Sequence, residues 1–434
     1  MIKVLLVFPK AGFDFLDPPL GLNYLKAALD NSKLNVETKI IDLNKNGNFQ
    51  EILSEYNPNI LGVSVTKPLT IQARNIAGIA RAFNKTMIIV AGGPQPTIDP
   101  EEFLDHFDIV VRGEGEQTLV NLVASIETFS WENVDGISYR KNGLIQHNPS
   151  RELAANLDLI NFPNIDNLNQ YPDFQFEQSQ MAPMITSRGC PYSCIFCTKE
   201  IFGKKIRFRT PANIISEMKH ISLASGIRTF QFRDDTFTFR RERVMEFCNR
   251  LINEGLQFTW LCNTRADLVD KPLIGSMYDA GCRRISFGAE SGDQNLLKIL
   301  KKNVSVDQII NATNWAHEAG MKVKYFLMIG IPGQTEDSVQ KTKKLIQAGK
   351  PDEMYCSIFL PFPGTYAWEH KDVMGIKFLF NPNDVSEWEK IYYQSNLSFE
   401  EALPPIETSV MSSDDIIRFR KEIFYTFYES KNNI

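Results

Sequence analysis

Cysteine is absent from the chain before Cys190, and all seven cysteines of the 434 residues lie at or after that position. The amino-terminal third therefore cannot bind a cysteine-ligated cluster. An odd total of seven in a long chain also argues against a disulfide framework. No apolar run reaches the roughly 20 residues that a membrane-spanning helix needs. The opening run, Met1 to Pro9, is apolar but short and lacks a signal-peptide cleavage pattern, so it reads as a buried strand of a cytoplasmic protein. Positive charge is not in excess: the formal net charge is −5, which leaves no basic footprint for nucleic acid. Hydrophobic residues at 43% and charged residues at 23% suit a globular protein, and the length predicts two or three domains with sizeable cores.

Against that background one local pattern stands out, Cys190-x-x-x-Cys194-x-x-Cys197. Three soft thiolates can hold three irons of a cubane 4Fe–4S cluster and leave the fourth iron open for chemistry. A structural zinc site would need a fourth thiolate or imidazole nearby. The next cysteine, Cys248, is far downstream, and His220 has no partner at zinc-ligand spacing. Cys248, Cys262, Cys282 and Cys356 are scattered and read as small buried residues. The triplet, with its flanks Thr186 to Gly189, resembles the cluster motif of the radical S-adenosylmethionine enzymes. In that family the amino and carboxylate groups of S-adenosylmethionine chelate the open iron. The resemblance implies Cys190, Cys194 and Cys197 as metal ligands and catalytic residues, and Phe196 packed near the adenine.

Residues 1–135 alternate apolar runs (3–8, 37–42, 60–65, 87–91, 109–111) with helix-period segments such as 22–28, 71–82 and 117–125. This pattern predicts a doubly wound, Rossmann-like parallel sheet with ligands beyond the carboxyl ends of its strands. The loops there contain Pro18-Pro19-Leu20-Gly21, Ser64-Val65-Thr66, Gly92-Gly93-Pro94-Gln95 and Arg112-Gly113-Glu114-Gly115-Glu116. Any one reads as turn chemistry. Together and in this order they resemble the cobalamin-binding domain that precedes the radical domain in cobalamin-dependent members of the family. The resemblance implies corrin contacts from Pro19, Leu20, Gly21, Ser64, Thr66, Gly92, Gly93, Pro94, Gln95, Arg112, Gly113, Glu114 and Gly115. Two departures accompany it. The Asp-x-His-x-x-Gly motif is missing, since His106 directly follows Asp105, which implies cobalamin without a protein histidine on cobalt. Gln95 stands where related sequences often carry histidine. Glu114 and Glu116 fit turn and cap formation better than a catalytic carboxylate pair.

An Asn142-Gly143 turn predicts a β-hairpin in a hinge region, and residues 136–182 read as hairpin and interdomain linker. From 183 to 370 strand–helix alternation predicts a partial (β/α)6 barrel, with strands at 184–187, 229–233, 257–262, 284–288, 322–329 and 353–360 and the site on its carboxyl face. Asp234-Asp235, Arg265 with Asp267, Glu290 with Ser291, and the run from Met328 to Glu336 fall on that rim. The resemblance implies Glu290 toward the ribose hydroxyls of S-adenosylmethionine, Arg265 toward its carboxylate, Ile329 and Gly330 toward the adenine, and Asp235 toward the amino group or substrate. Helix capping for Asp234 and Asp235, and a structural ion pair for Arg265, are the plainer alternatives. Residues 371–434 form a small helical extension rich in aromatics, a possible substrate-pocket element.

The family resemblance implies a cobalamin-dependent C-methyltransferase that uses a 5′-deoxyadenosyl radical and methylcobalamin on an unactivated carbon. Its cofactors would be a 4Fe–4S cluster, S-adenosylmethionine and cobalamin, with an external flavodoxin or ferredoxin as electron donor and a small-molecule or natural-product substrate. A radical cyclase or rearrangement enzyme that transfers no methyl group, and a non-catalytic cofactor-binding sensor, stay open. A methylthiotransferase is disfavoured because its amino-terminal domain would need cluster cysteines.

Overall fold

The computed structural model describes every residue except 12–16, 46, 127–129, 396–402 and 433–434. The chain forms two compact units. One comprises Met1–Phe174, Lys199–Arg207 and Asp384–Glu389; the other comprises Gln175–Thr198, Phe208–Asn383 and Lys390–Ile434.

The first unit runs β1 (Ile2–Phe8), α1 (Leu20–Asp30), β2 (Val36–Asp42), α2 (Phe49–Tyr56), β3 (Ile60–Ser64), α3 (Thr70–Phe83), β4 (Ile88–Gly92), α4 (Pro94–Ile98), β5 (Ile109–Val111), α5 (Glu116–Ala124), β6 (Ile137–Lys141) and β7 (Leu144–His147). Its sheet has the order β2-β1-β3-β4-β5-β6-β7. β1 to β5 are parallel, and β6 and β7 add antiparallel strands. Both faces of β1 are covered: Leu5 and Val7 enter one apolar cluster, Val4 and Leu6 the other. That double burial is why the strand reads as an unbroken apolar run. The chain leaves β1 outward for β2 and returns to its other side at β3, a reversal that opens a crevice beyond the carboxyl ends. The hairpin expected in a hinge instead extends this sheet, with Ile109 opposite Tyr139. Its turn has positive φ at both Asn142 (53°) and Gly143 (79°), which matches the twist of the paired strands.

The second unit contains β8 (Gln175–Phe176), β9 (Ser179–Met184) and β10 (Ser187–Arg188). After β11 (Arg207–Phe208) it continues with α6 (Pro211–Ser225), β12 (Thr229–Phe232), α7 (Arg241–Asn253), β13 (Thr259–Thr264), α8 (Lys271–Asp279), β14 (Cys282–Glu290), α9 (Gln294–Ile299), α10 (Val306–Glu318), β15 (Lys322–Ile329), α11 (Glu336–Gly349), β16 (Glu353–Ile358) and α12 (Tyr366–Glu369). β17 (Ile376–Phe378), α13 (Val385–Ser395), β18 (Ile406–Thr408) and α14 (Ser413–Asn432) complete the chain. The main sheet has the order β16-β15-β14-β13-β12-β9-β8. Six strands are parallel and β8 pairs antiparallel with β9, giving the curled half-barrel. Trp260 on β13 packs against Phe232, Phe237 and Phe247 with ring centroids 5.4–5.5 Å away, and its indole N–H donates to the Ala280 carbonyl. α14 packs on α11, β15 and β16, so the last helix covers the end of the open sheet.

The first barrel strand differs from its sequence expectation. It occupies Ser179–Met184 and ends where a strand at 184–187 was expected to begin. The buried Asp234 carboxylate accepts from the Thr186 N–H (2.6 Å) and hydroxyl (2.5 Å) and from the Ser187 hydroxyl (2.6 Å). Beyond β9 the Thr186 carbonyl accepts from Arg209 N–H (3.0 Å), and Ser187 begins β10, which pairs with β11.

Candidate functional site

The three cysteines lie in the loop that leaves β9 at the carboxyl face of the half-barrel. Cys190 is buried, Cys194 and Cys197 are half-buried, and none of the three is in a disulfide. The loop is fixed by its backbone more than by its side chains. Ile195, fully buried between Cys194 and Phe196, donates to the Leu300 carbonyl (3.2 Å) and accepts from Ala367 N–H (2.9 Å). A second tie closes within the loop, from Cys197 N–H to the Cys194 carbonyl (3.2 Å). Upstream, Arg243 donates to the Thr186 carbonyl and hydroxyl and to the Arg209 carbonyl, bracing the residues that Asp234 holds. Asp234 is thus an anchor of the cysteine loop, whereas Asp235 beside it is exposed.

Two cations act on one of these thiols, Cys194. Burial pushes the Cys194 thiol above its ordinary range, while the charges of Lys302 and Arg265 pull it down. The Arg265 guanidinium lies 3.7 Å from the Tyr192 ring centroid, pairs with both oxygens of Asp267 (2.9 and 3.0 Å) and donates to the Lys302 carbonyl (2.5 Å). Its Nη1 is buried without a hydrogen-bond partner. Lys302 pairs with Glu290 at 2.8 Å, and both side chains are buried. Sequence reading passed over Lys302, because adjacent lysines after a helix look like a solvated face.

Glu290 owes its aim to backbone geometry. The pairing of β14 with β15 slips between Gly288 and Glu290, and Glu290 has φ +58°. A bulge of this kind re-aims a side chain at the end of a strand. A left-handed non-glycine residue costs about 1–3 kcal/mol and persists only where its surroundings hold it. Gly288 leaves the room: a Cβ there would lie 2.5 Å from Lys302 Nζ and 2.6 Å from Glu290 Oε1. After β15, the Gln334 side-chain carbonyl accepts from Gly330 N–H (2.8 Å) and Ile331 N–H (3.2 Å), so these amides are engaged within the loop.

Does this arrangement fit an iron–sulfur cluster? Among the described residues no three His, Cys, Asp or Glu side chains are grouped as ligands of one metal ion. A cubane makes a different demand, because each cysteine binds its own iron. Three cysteines outside any disulfide on one anchored loop, with the charges of two cations acting on Cys194, suit that demand. The buried, unpartnered Arg265 Nη1 is a donor still lacking an acceptor.

In the first unit the ends of β1, β3, β4 and β5 form one rim. Pro19 precedes α1, and Leu20 and Gly21 begin it, with Gly21 exposed. Ser64 ends β3 and Thr66 follows. Gly93, at φ +101°, passes so close to β3 that a Cβ would lie 3.0 Å from the Val65 carbonyl oxygen. Pro94 starts α4, and Gln95 is buried with its amide donating to Glu102 (3.0 Å). Gly113 N–H donates to the Thr97 hydroxyl (3.0 Å), tying the β4 and β5 loops, and a Cβ at Gly113 would meet nothing within 4 Å. Gly115 precedes α5. Glycines and backbone therefore form the open part of the rim, as a bulky flat ligand requires. Arg112 and Glu114 are engaged elsewhere. Arg112 donates to the carbonyls of Ile137 and Asn148, and Glu114 makes a buried bidentate pair with Arg207 (2.8 and 3.0 Å).

Both parts of the chain are similar to known proteins. Residues 10–123 match the B12 binding domain and residues 184–346 match the radical SAM superfamily. The chain is 29% identical over 443 aligned positions to the uncharacterized methyltransferase PH0819 of Pyrococcus horikoshii, covering 99% of this chain and 93% of that protein. It is 26% identical to the anaerobic magnesium-protoporphyrin IX monomethyl ester cyclase of Rubrivivax gelatinosus, over 78% of this chain and 63% of the cyclase. In fold it is similar to the radical S-adenosylmethionine methyltransferase TsrM from Kitasatospora setae, solved with cobalamin and a 4Fe–4S cluster. The TM-score is 0.77 at 17% identity, over 99% of this chain and 89% of TsrM. The chain therefore carries a B12 binding domain ahead of a radical SAM domain.

Proposed function

We propose that this chain is a cobalamin-dependent radical S-adenosylmethionine enzyme that methylates an unactivated carbon of a small molecule. The observation that carries the reading is the anchored loop of three cysteines outside any disulfide, with the charges of Lys302 and Arg265 acting on Cys194. The near full-length similarity to a protein named a methyltransferase supports methyl transfer. In this reading 1–135 is the cobalamin-binding domain, 136–182 the hairpin and linker, 183–370 the radical domain and 371–434 an extension that shapes the substrate pocket.

When bound, the cluster, S-adenosylmethionine and cobalamin supply radical generation and methyl delivery; the protein supplies position and shielding. Cys190, Cys194 and Cys197 hold the cluster. Ile195 fixes their loop through both of its backbone groups. Lys302 and Arg265 offset the negative charge gathered on the thiolates. Glu290, turned by its bulge, presents a carboxylate to the ribose hydroxyls, and Arg265 presents its unpartnered Nη1 to the carboxylate of S-adenosylmethionine. Phe196, Ile329 and Gly330 would receive the adenine, and Asp235 would serve the amino group or substrate. On the other rim the loops carrying Pro19, Leu20, Gly21, Ser64, Thr66, Gly92, Gly93, Pro94, Gly113 and Gly115 approach the corrin, with Gln95, Arg112 and Glu114 shaping them. The electron donor is a flavodoxin or ferredoxin. No described helix is long and apolar enough to cross a membrane.

A second reading, radical cyclisation without methyl transfer, is favoured by the likeness to the cyclase of Rubrivivax gelatinosus. Anaerobic reconstitution with iron, sulfide and hydroxocobalamin, followed by turnover with a reductant and candidate substrates, separates the two. The methyltransferase yields 5′-deoxyadenosine, S-adenosylhomocysteine and methylated product; the cyclase yields no S-adenosylhomocysteine. A reconstituted protein that forms no 5′-deoxyadenosine overturns both.

A further inference from the structure

Residues Asp384–Glu389 lie far along the chain from the B12-binding domain, yet they belong to the same compact unit. Within that segment Trp388 alone is buried, and it is wholly so. An aromatic anchor on an otherwise exposed segment marks the point at which the segment is held. The ammonium of Lys67 lies 5.9 Å from the Trp388 ring centroid. Next to it, Gln72 at the start of α3 donates to both oxygens of Glu389 (3.1 and 3.3 Å).

Lys67 directly follows Thr66, in the loop that leaves β3. Its ammonium also donates to both oxygens of Glu102 at 3.2 Å. Glu102 in turn accepts from Gln95 Nε2 (3.0 Å) and Arg74 Nη2 (3.3 Å). One largely buried chain of contacts therefore runs from Trp388 through Lys67 and Glu102 to Gln95. It ties the carboxyl-terminal segment to two of the four rim loops. Lys67 and Glu102 keep only 11% and 13% of their side-chain surface exposed, so the cation–ring and ion-pair contacts are poorly screened.

We infer that Trp388 is a positioning residue for the cobalamin pocket, setting the β3 and β4 loops through Lys67 and Glu102. This rests on the cobalamin-binding role proposed above. The carboxyl-terminal extension then serves the corrin rim as well as any substrate. Loss of the ring frees Lys67 to solvent, loosens Glu102 and lets Gln95 and Thr66 drift. Geometry at such a rim tolerates little slack.

The test is equilibrium binding of hydroxocobalamin to the full chain by visible absorbance, for the wild type and for Trp388→Phe, Trp388→Leu and Glu102→Gln. Iron content after reconstitution and far-ultraviolet circular dichroism report the fold of each variant. Trp388→Leu keeps apolar bulk and removes the ring; it is expected to weaken binding about tenfold, and Trp388→Phe to restore it to within about threefold. Glu102→Gln breaks the chain at its next link and is expected to weaken binding by a similar factor. The absorption bands of cobalamin bound to Trp388→Leu are expected to shift, a signature that simple packing loss would not give. Equal affinity for the Leu and Phe variants, or wild-type affinity for Glu102→Gln, overturns the inference. A wild-type chain that binds no hydroxocobalamin instead overturns the cobalamin reading itself.

Discussion

The Glu290 carboxylate meets the Lys302 ammonium at 2.8 Å while the Glu290 backbone is held at φ +58°. A strained residue and a buried ion pair thus stabilise one another, since the pair holds the bulge and the bulge aims the carboxylate. Removing one member leaves the other charge buried without its partner, which costs about 3–5 kcal/mol. Lys302→Met and Glu290→Leu should each lower the unfolding free energy, measured by urea titration, by amounts in that range. The double variant should recover at least about 1 kcal/mol relative to the sum, because no lone charge remains. Additive losses would show that the pair is not coupled.

Gly288 tests the same pair from below. An alanine Cβ would sit 2.5 Å from Lys302 Nζ and 2.6 Å from Glu290 Oε1. These are ends of side chains, so the fold can yield where the pair cannot. Gly288→Ala should cost about 1–3 kcal/mol in stability, as overpacking does. It should also weaken S-adenosylmethionine binding, measured by calorimetry on the reconstituted protein, by about tenfold. Unchanged affinity would remove Glu290 from the binding site.

Much of this was legible in the sequence. Strand β15 spans the expected residues, because its interrupted apolar run is bounded by Gly320 and Gly330. That the three cysteines share one loop was legible because their spacing is local. Less legible was whatever depends on contacts distant in sequence. The 184–187 strand was misplaced because the chain there bonds instead to Asp234 and Arg209, both distant in sequence. Lys302 was invisible because a solvated lysine and a buried one look alike until a fold supplies Glu290. Trp388 read as one aromatic among several in the extension, and only the assembled unit sets it beside Lys67.

Glu114 and Arg207 give a second buried pair within the first unit, with side chains 7% and 5% exposed. Glu114 also accepts from Ala154 N–H (3.0 Å), and Arg207 also donates to the carbonyls of Ala154 (2.8 Å) and Phe202 (3.1 Å). One carboxylate therefore gathers the β5 loop, the linker and the chain after the cysteine motif. Arg207→Met should cost about 3–5 kcal/mol, seen as a lowered urea midpoint, because it strands Glu114. Arg207→Lys should lose nearly as much, since an ammonium cannot reproduce the forked contact. Full rescue by lysine would show that charge alone suffices.

Asp352 supplies a pH dependence. Burial raises its pKa, but hydrogen bonds from His317 (2.9 Å) and Val323 N–H (2.8 Å) and the charge of Lys431 outweigh burial and bring it to about 2, below the ordinary 3.8. A depressed carboxylate stabilises the fold above its unfolded pKa and loses that contribution as pH falls through the folded value. Its side chain is 32% exposed, so after screening its contribution is about 1 kcal/mol or less. The difference in urea midpoint between wild type and Asp352→Asn should be constant down to about pH 5 and shrink below about pH 4. A gap that widens on acidification would reverse the assigned sign.

The two sites should load independently, and single substitutions can show it. Cys194→Ser replaces a soft ligand with a hard hydroxyl that suits iron–sulfur chemistry poorly, so iron content should fall to background. Cys194 is not among the residues proposed to approach the corrin, so hydroxocobalamin should bind as in the wild type. Gly93→Ala acts in the opposite sense. Its φ of +101° and the Val65 carbonyl 3.0 Å from the added methyl force the β4 loop to shift. The strain costs about 1–3 kcal/mol and falls on the loop proposed to approach the corrin. Corrinoid retention through gel filtration should drop while iron and sulfide stay at wild-type levels. If Gly93→Ala retains cobalamin fully, the β4 loop is not part of the pocket; if Cys194→Ser retains iron, the thiol is not a ligand.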